Sequence, residues 1–212
     1  MNTVDSKFEF EQNESFDLII KLYYYIKKSV LLYVMILSFD LGLKNMGACA
    51  LDDTTLNIIA WDVLETSQRT EDIVTTLDTW ITCLKCEKEI NENVSVSVLL
   101  ERQPWKNNRT RRLYIIMETY FRIVFPSYKV RGVMSNHKWH RLGRCVPKTY
   151  TERKKEIVNV CKTELQNSQS RTNDEWYEWF MNQPKKDDLA DAYVQAICSI
   201  NRSNLPIANN EV

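Results

Sequence analysis

The sequence predicts an α/β domain built on a mixed five-stranded sheet flanked by helices. Three observations carry that expectation. Apolar runs of strand length stand at 35–39, 45–51, 56–63, 94–100 and 129–134. Between and after them lie longer segments whose apolar residues recur at helical spacing. The composition, 44% hydrophobic with 11% aromatic residues, is that of a chain with a packed core and excludes a disordered or low-complexity protein. With 212 residues the chain is long enough for one substantial domain and needs no disulfide or metal staple. Only 4 Gly and 5 Pro occur, which argues against glycine-rich phosphate loops, linkers and collagen-like segments.

The elements follow in order. Met35 to Phe39 is short and wholly apolar apart from Ser38, as a buried central strand is. Asn45–Leu51 and Leu56–Val63 read as two more strands, and Asp52-Asp53-Thr54 between them makes a hairpin turn. Ile73, Leu77, Trp80, Ile81 and Leu84 mark an amphipathic helix over 70–89. Val94 to Leu100 alternates Val and Ser and closes on Leu-Leu-Glu, a fourth strand. Leu113–Phe125 is a helix stopped by Pro126, and Lys129–Met134 a fifth strand. Thr151–Leu165 is helical. The polar stretch Gln166–Asp174 precedes a short aromatic helix with Trp176, Tyr177, Trp179 and Phe180, and Asp187–Ile200 is the last helix. Residues 1–34 read as an N-terminal extension in which Lys21, Lys27 and Lys28 leave no uncharged run of the length a membrane span needs. The default for this extension is an amphipathic helix, with Met35 as a second candidate start. Residues 35–200 form the domain, and 201–212 a loose tail.

Charge is balanced overall, 28 basic against 28 acidic residues, but it is segregated. From Arg102 to Lys162 there are sixteen Lys or Arg and three acids, a local charge of +13. Clustered cations of this kind release counterions from phosphate backbones, so the pattern favours nucleic acid as a partner over the alternative of a solvated face. Several of the six cysteines (Cys49, Cys161 and Cys198) sit in apolar runs, as reduced buried thiols do, which predicts an intracellular, reducing location. Cys83 and Cys86 with His137 and His140 are of zinc-ligand type. The pairs lie about 50 residues apart, far from compact zinc-finger spacing, and Cys83–Cys86 also fits an ordinary helix; zinc stays open.

Four carboxylates stand out by position. Asp40 closes the first strand and is followed by Gly42 and Gly47, where a tight turn would admit a ligand close to the backbone. Glu101 ends the fourth strand after a run of residues too apolar to welcome it. Asp188 and Asp191 lie three apart on the last helix and project from one face, and the small Ala190 and Ala192 would let that helix press against a sheet. Carboxylates gathered on one spot repel each other and are stable together only around cations. All-oxygen ligands suit Mg²⁺, with Mn²⁺ as a substitute, and two such ions activate water for attack on a phosphodiester.

The order βββαβαβ followed by helices is that of an RNase H-like fold. The motifs Ser38-Phe-Asp40-Leu-Gly-Leu-Lys-Asn-Met-Gly47, Leu99-Leu-Glu101-Arg-Gln-Pro104, Glu152-Arg-Lys-Lys155 and Lys185-Lys-Asp-Asp188-Leu-Ala-Asp191-Ala192 resemble those of poxvirus-type Holliday junction resolvases, in the RuvC-like branch of that superfamily. The resemblance runs from about Met35 to Ile200. It implies an Mg²⁺-dependent endonuclease, working as a homodimer, that places paired symmetric nicks across a four-way DNA junction in recombination or concatemer resolution. If the chain is viral, that would be in the host cytoplasm where viral DNA replicates. It further implies Asp40, Glu101, Asp188 and Asp191 as metal ligands. Lys155 best matches a basic residue at the edge of the active site, with Lys154 and Lys148 as competitors. Trp105, Lys106, Arg109, Arg111 and Arg112 follow Glu101 in a region that approaches the junction in this branch, with Lys148 and Lys154 as further DNA contacts. Residues 1–34 have no counterpart in the family pattern. Asn136–Lys148 looks like an insertion, either a DNA-contacting loop or a long connection.

Competing expectations share or lose these residues. A nuclease acting on RNA or on forked DNA would use the same carboxylates. A catalytically silent junction-binding module would have no need of them. An ATPase opening with Asp-x-Gly would need glycine-rich phosphate loops, and no Gly follows Gly143, so no nucleotide cofactor is expected.

Overall fold

A computed structural model describes residues 34–67, 69–88, 94–104, 106–167 and 171–200. The expected N-terminal extension, the C-terminal tail and Trp105 lie outside the described residues. Five strands, β1 (Val34–Asp40), β2 (Asn45–Asp52), β3 (Ile58–Glu65), β4 (Ser95–Glu101) and β5 (Lys129–Val133), pair in the order β3-β2-β1-β4-β5. β1, β2 and β3 are antiparallel neighbours; β4 runs parallel to β1, and β5 parallel to β4. The described helices are α1 (Thr70–Lys88), α2 (Asn108–Val124), α3 (His137–Arg141), α4 (Tyr150–Asn167), α5 (Arg171–Met181) and α6 (Lys186–Ser199).

The sheet is central because its first strands are apolar on both faces, and each face is covered. Phe39 packs edge-on against Trp80 of α1 and tilted against Phe121 of α2, with ring centroids 5.6 and 5.5 Å away. Side chains alternate along a strand, so Ile36, Ser38 and Asp40 point to the other face. There Ile36, Cys49, Leu51, Trp61 and Leu99 pack with Trp139, Ile157, Cys161, Phe180 and the buried side of α6. The aromatic side chains of Trp176, Tyr177, Trp179 and Phe180 pack into this core: Trp61 stacks on Phe180 at 5.0 Å and meets Trp179 at 5.7 Å.

Local chemistry moves three boundaries. The hairpin turn runs on past Thr54 because the Asp52 carboxylate accepts hydrogen bonds from Thr54 N, Thr55 N and Thr55 Oγ1. Leu56 then turns with φ of 61°, and β3 starts at Ile58 instead of Leu56. α2 starts five residues earlier than its apolar periodicity suggests, because Asn107 caps it: its side chain accepts from Thr110 N. Asn136–Lys148 is neither a free loop nor a plain connection. It contains the short helix α3, which buries Lys138 and Trp139. Arg141 donates to Cys198 O at 3.2 Å and Ile200 O at 2.9 Å, satisfying carbonyls at the end of α6.

The final helix is held against the sheet by three devices. Trp61 Nε1 donates to Leu189 O at 2.9 Å. The buried Gln195 amide donates to Ser38 Oγ at 3.1 Å and Phe39 O at 3.3 Å, which ties α6 to β1. Gly47, in register with Asp40, lies directly beneath the first turn of α6. A Cβ there would stand 2.0 Å from Asp188 O and 3.3 Å from Ala192 Cβ. The sequence-level reading of Gly47 as room for a ligand is corrected: the room is taken by a helix.

Candidate active site

β1 and β4 are parallel and end side by side, with Phe39 paired to Leu100, so Asp40 and Glu101 emerge as neighbours from the same end of the sheet. α6 crosses that face and adds Asp188 and Asp191, one turn apart. All four carboxylates line one cavity of ≈350 Å³, together with Lys138, Lys154, Arg153, Gln103, Val146 and Tyr150. The four carboxylates picked from the sequence are thus brought together.

Two lysines lace them. Lys138, buried on α3, reaches Glu101 Oε2 at 3.4 Å and bonds closely to Asp191 Oδ1. Lys154, in the first turns of α4, stands 3.3 Å from Asp187, 3.3 Å from Asp188 and 3.2 Å from Asp191. Asp191 is held by both ammonium groups. Burial pushes the Asp40 carboxyl well above the usual range, and the charges of Asp191 and Glu101 push it further against the pull of both lysines. Burial also raises Asp188, with Lys154 opposing. Burial works against the charge on Lys138 and Lys154, yet the surrounding carboxylates outweigh it and hold both firmly protonated, with Asp191 the strongest attractor for each.

The basic positions divide. Lys154 is at the site, whereas Lys155 is exposed and lines a separate surface depression with Arg144, Glu152 and Glu156. Of the three lysines weighed from the sequence, Lys154 is the one brought to the carboxylates, and Lys155 lies outside the cavity. The buried stripe of α4 carries Ile157 and Cys161, and Lys154 lies on that stripe while Lys155 is turned about 100° away. Lys148 is exposed before α4 and does not line the cavity. Lys106, Arg109 and Arg112 are exposed and Arg111 half-buried, at the start of α2. The chain reaches them directly from the end of β4, so they flank the same end of the sheet without entering the cavity. Arg112 also donates to Thr70 Oγ1 at 3.4 Å. Lys138 escaped sequence reasoning, because its carboxylate partners come from β4 and α6, far along the chain.

The donor set is all oxygen, of the hard type that suits Mg²⁺ or Mn²⁺, and its mutual repulsion calls for cations. In this structure those cations are ammonium groups. Among the described residues, no group of three or more His, Cys, Asp or Glu side chains is already arranged to hold a metal ion. Cys83 and Cys86 sit exposed on α1, while His137 and His140 sit on α3, so the two pairs belong to helices covering opposite faces of the sheet.

Fold and site together define an RNase H-like nuclease, with acidic residues at two central strand ends and on the last helix. The comparisons with known proteins agree. The family described as Poxvirus A22 protein matches residues 34–202, and the chain belongs to that family, the poxvirus-type Holliday junction resolvases. No curated protein matches the chain. Among solved structures, RuvC of T. thermophilus in complex with a Holliday junction substrate is similar at a TM-score of 0.51 and 13% identity, over 78% of this chain and 92% of that one. A second Thermus thermophilus RuvC structure is similar at 0.50 and 12%, over 77% and 92%. At these identities the likeness establishes the fold, a RuvC-like mixed sheet flanked by helices.

Proposed function

We propose that this chain is a divalent-metal-dependent endonuclease that cuts four-way DNA junctions by paired symmetric nicks, as a homodimer. The observation that carries the reading is the convergence of Asp40, Glu101, Asp188 and Asp191 in one cavity, laced by Lys138 and Lys154. Membership of the resolvase family supports the substrate.

Asp40, Glu101, Asp188 and Asp191 would hold Mg²⁺, or Mn²⁺ in its place. When bound, the metal supplies an activated water and charge neutralisation at the phosphodiester. The chain's own residues do the rest. Lys154 stands at the mouth of the carboxylate cluster, where its ammonium can hold a phosphate oxygen and offset charge developing on it. Lys138 braces Asp191 against Glu101 and keeps the cluster assembled before any substrate arrives. Arg153 on the rim, with Lys106, Arg109, Arg111 and Arg112 at the start of α2, extends the positive surface that tracks the strands leaving the site.

Paired nicks require two sites related by a two-fold axis, and α2 offers a surface for the partner copy. Ile115 and Ile123 on its outer side are 51% and 73% exposed, an unusual apolar load for solvent. All six cysteines are free thiols, which supports a reducing compartment as the working location.

The test is strand-specific cleavage of a labelled four-way junction by purified protein, with and without Mg²⁺, alongside duplex DNA, a fork and an RNA–DNA hybrid. Symmetric nicks in the junction alone, lost with Asp188→Asn while binding persists, are expected. Cleavage of the hybrid in preference would move the substrate to RNA. Tight junction binding without cleavage would make the chain a silent binding module.

A further inference from the structure

The cavity has an apolar rim that metal binding and phosphate contact leave unused. Val146 and Tyr150 both line it, beside a floor of carboxylates and ammonium groups, and Tyr150 is 67% exposed. Its placement is set by the backbone. Thr149 and Glu152 form a capping box at the start of α4: Glu152 N donates to Thr149 Oγ1 at 3.2 Å and Thr149 N donates to Glu152 Oε2 at 3.0 Å. Tyr150 is thereby fixed as the first residue of the helix, one turn before Lys154. Lys154 Nζ lies 5.8 Å from the centre of the Tyr150 ring and, on its other side, 3.3 Å from Asp188 and 3.2 Å from Asp191. Ring, ammonium and carboxylates form a continuous track from rim to floor.

We propose that Tyr150, backed by Val146, is a stacking platform for a nucleobase adjacent to the scissile phosphate. This deepens the nuclease reading and rests on it. A phosphate held at Lys154 brings the base of a neighbouring nucleotide beside the exposed Tyr150 ring, a flat apolar surface on this rim. Bases in a regular duplex keep their faces covered by their neighbours, whereas bases at a branch point can leave the stack and cover an aromatic ring. Tyr150 therefore acts as a binding residue that favours branched over continuous DNA. Its chemistry is indifferent to base identity, since every base has a π-face, and the phenol oxygen is dispensable.

The experiment uses the full chain and a four-way junction carrying 5-iodouracil beside the phosphate that the wild-type protein cuts. Cross-linking is done in the Asp188→Asn background so that the strand stays intact. Ultraviolet irradiation is expected to join the base to Tyr150, identified by mass spectrometry of the peptide. Tyr150→Ala is expected to weaken junction affinity about tenfold and leave duplex affinity unchanged, while Tyr150→Phe keeps both. Cleavage of the junction by wild type, with no cross-link at Tyr150 and unaltered affinity in Tyr150→Ala, overturns this inference and leaves the nuclease reading standing. Failure of the wild-type protein to bind or cut a junction overturns the nuclease reading, and the platform falls with it.

Discussion

Replacing Gly47 with Ala tests whether the close seat of α6 on β2 is what assembles the site. Gly47 has no special backbone conformation, since its φ is not positive; the constraint is space. The added methyl would stand 2.0 Å from Asp188 O, 2.7 Å from Asp188 C and 3.3 Å from Ala192 Cβ. A carbon needs about 3.3 Å from a carbonyl oxygen, so the helix must retreat by about 1.3 Å. That is close to one residue of helical rise, about 1.5 Å, and it falls on the turn that bears Asp188 and Asp191. Overpacking of this kind costs about 1–3 kcal/mol, partly offset by about 0.5 kcal/mol from the stiffer unfolded chain. At about 2–4 °C per kcal/mol for a domain of this size, the midpoint of thermal unfolding should fall by about 1–10 °C. A misplacement of about 1 Å costs on the order of 100-fold in turnover, so cleavage should suffer far more than stability. Circular dichroism melting and single-turnover cleavage read the two effects. Ala192→Gly added to Gly47→Ala should not rescue either, because the clash with the Asp188 carbonyl remains. A Gly47→Ala protein that melts and cuts like wild type would refute the argument.

Three further outcomes are expected. Asp40→Asn should stabilise the metal-free protein while abolishing cleavage, because Asp40 is buried among like charges. The sign is set by the raised pKa: the folded state keeps this proton more tightly, so stability falls as pH rises from the unfolded value near 3.8 through the raised folded value. Urea titrations across that range should show the decline in wild type and a flatter profile in Asp40→Asn. Lys138→Met should destabilise the metal-free protein by about 3–5 kcal/mol by stranding Asp191 and Glu101, and added Mg²⁺ should restore part of the loss; equal loss with and without Mg²⁺ would count against a shared role. Arg141→Ala should cost about 1–2 kcal/mol through the uncapped end of α6, with junction affinity unchanged; a loss of affinity at intact stability would make Arg141 a DNA contact instead.

What could be read in the sequence was whatever depends on local pattern. Asp40 and Glu101 announce themselves as charges closing apolar strands, and Asp188 and Asp191 as a pair on one helical face. The choice between Lys154 and Lys155 was also written locally, in the phase of Ile157 and Cys161 along α4, where only Lys154 shares the buried stripe. Asn107 likewise signals the true start of α2 through its cap. Lys138 was not legible, because a lysine in a polar segment becomes a buried partner only when β4 and α6 fold against it. Gly47 was misread for the same reason: a glycine tells of close approach without telling what approaches.

The late position of α6 has a consequence for how the protein is made. Synthesis delivers every strand of the sheet, and with it Asp40 and Glu101, before α6 leaves the ribosome. Until then half of the acidic cluster is missing, Gln195 has not tied down β1, and Lys138 lacks its closest partner. On the proposed function, a nascent or prematurely ended chain would carry the basic residues at the start of α2 without half of the acidic cluster. Cutting would then be the last property the polypeptide acquires, arriving together with the contacts that complete the fold.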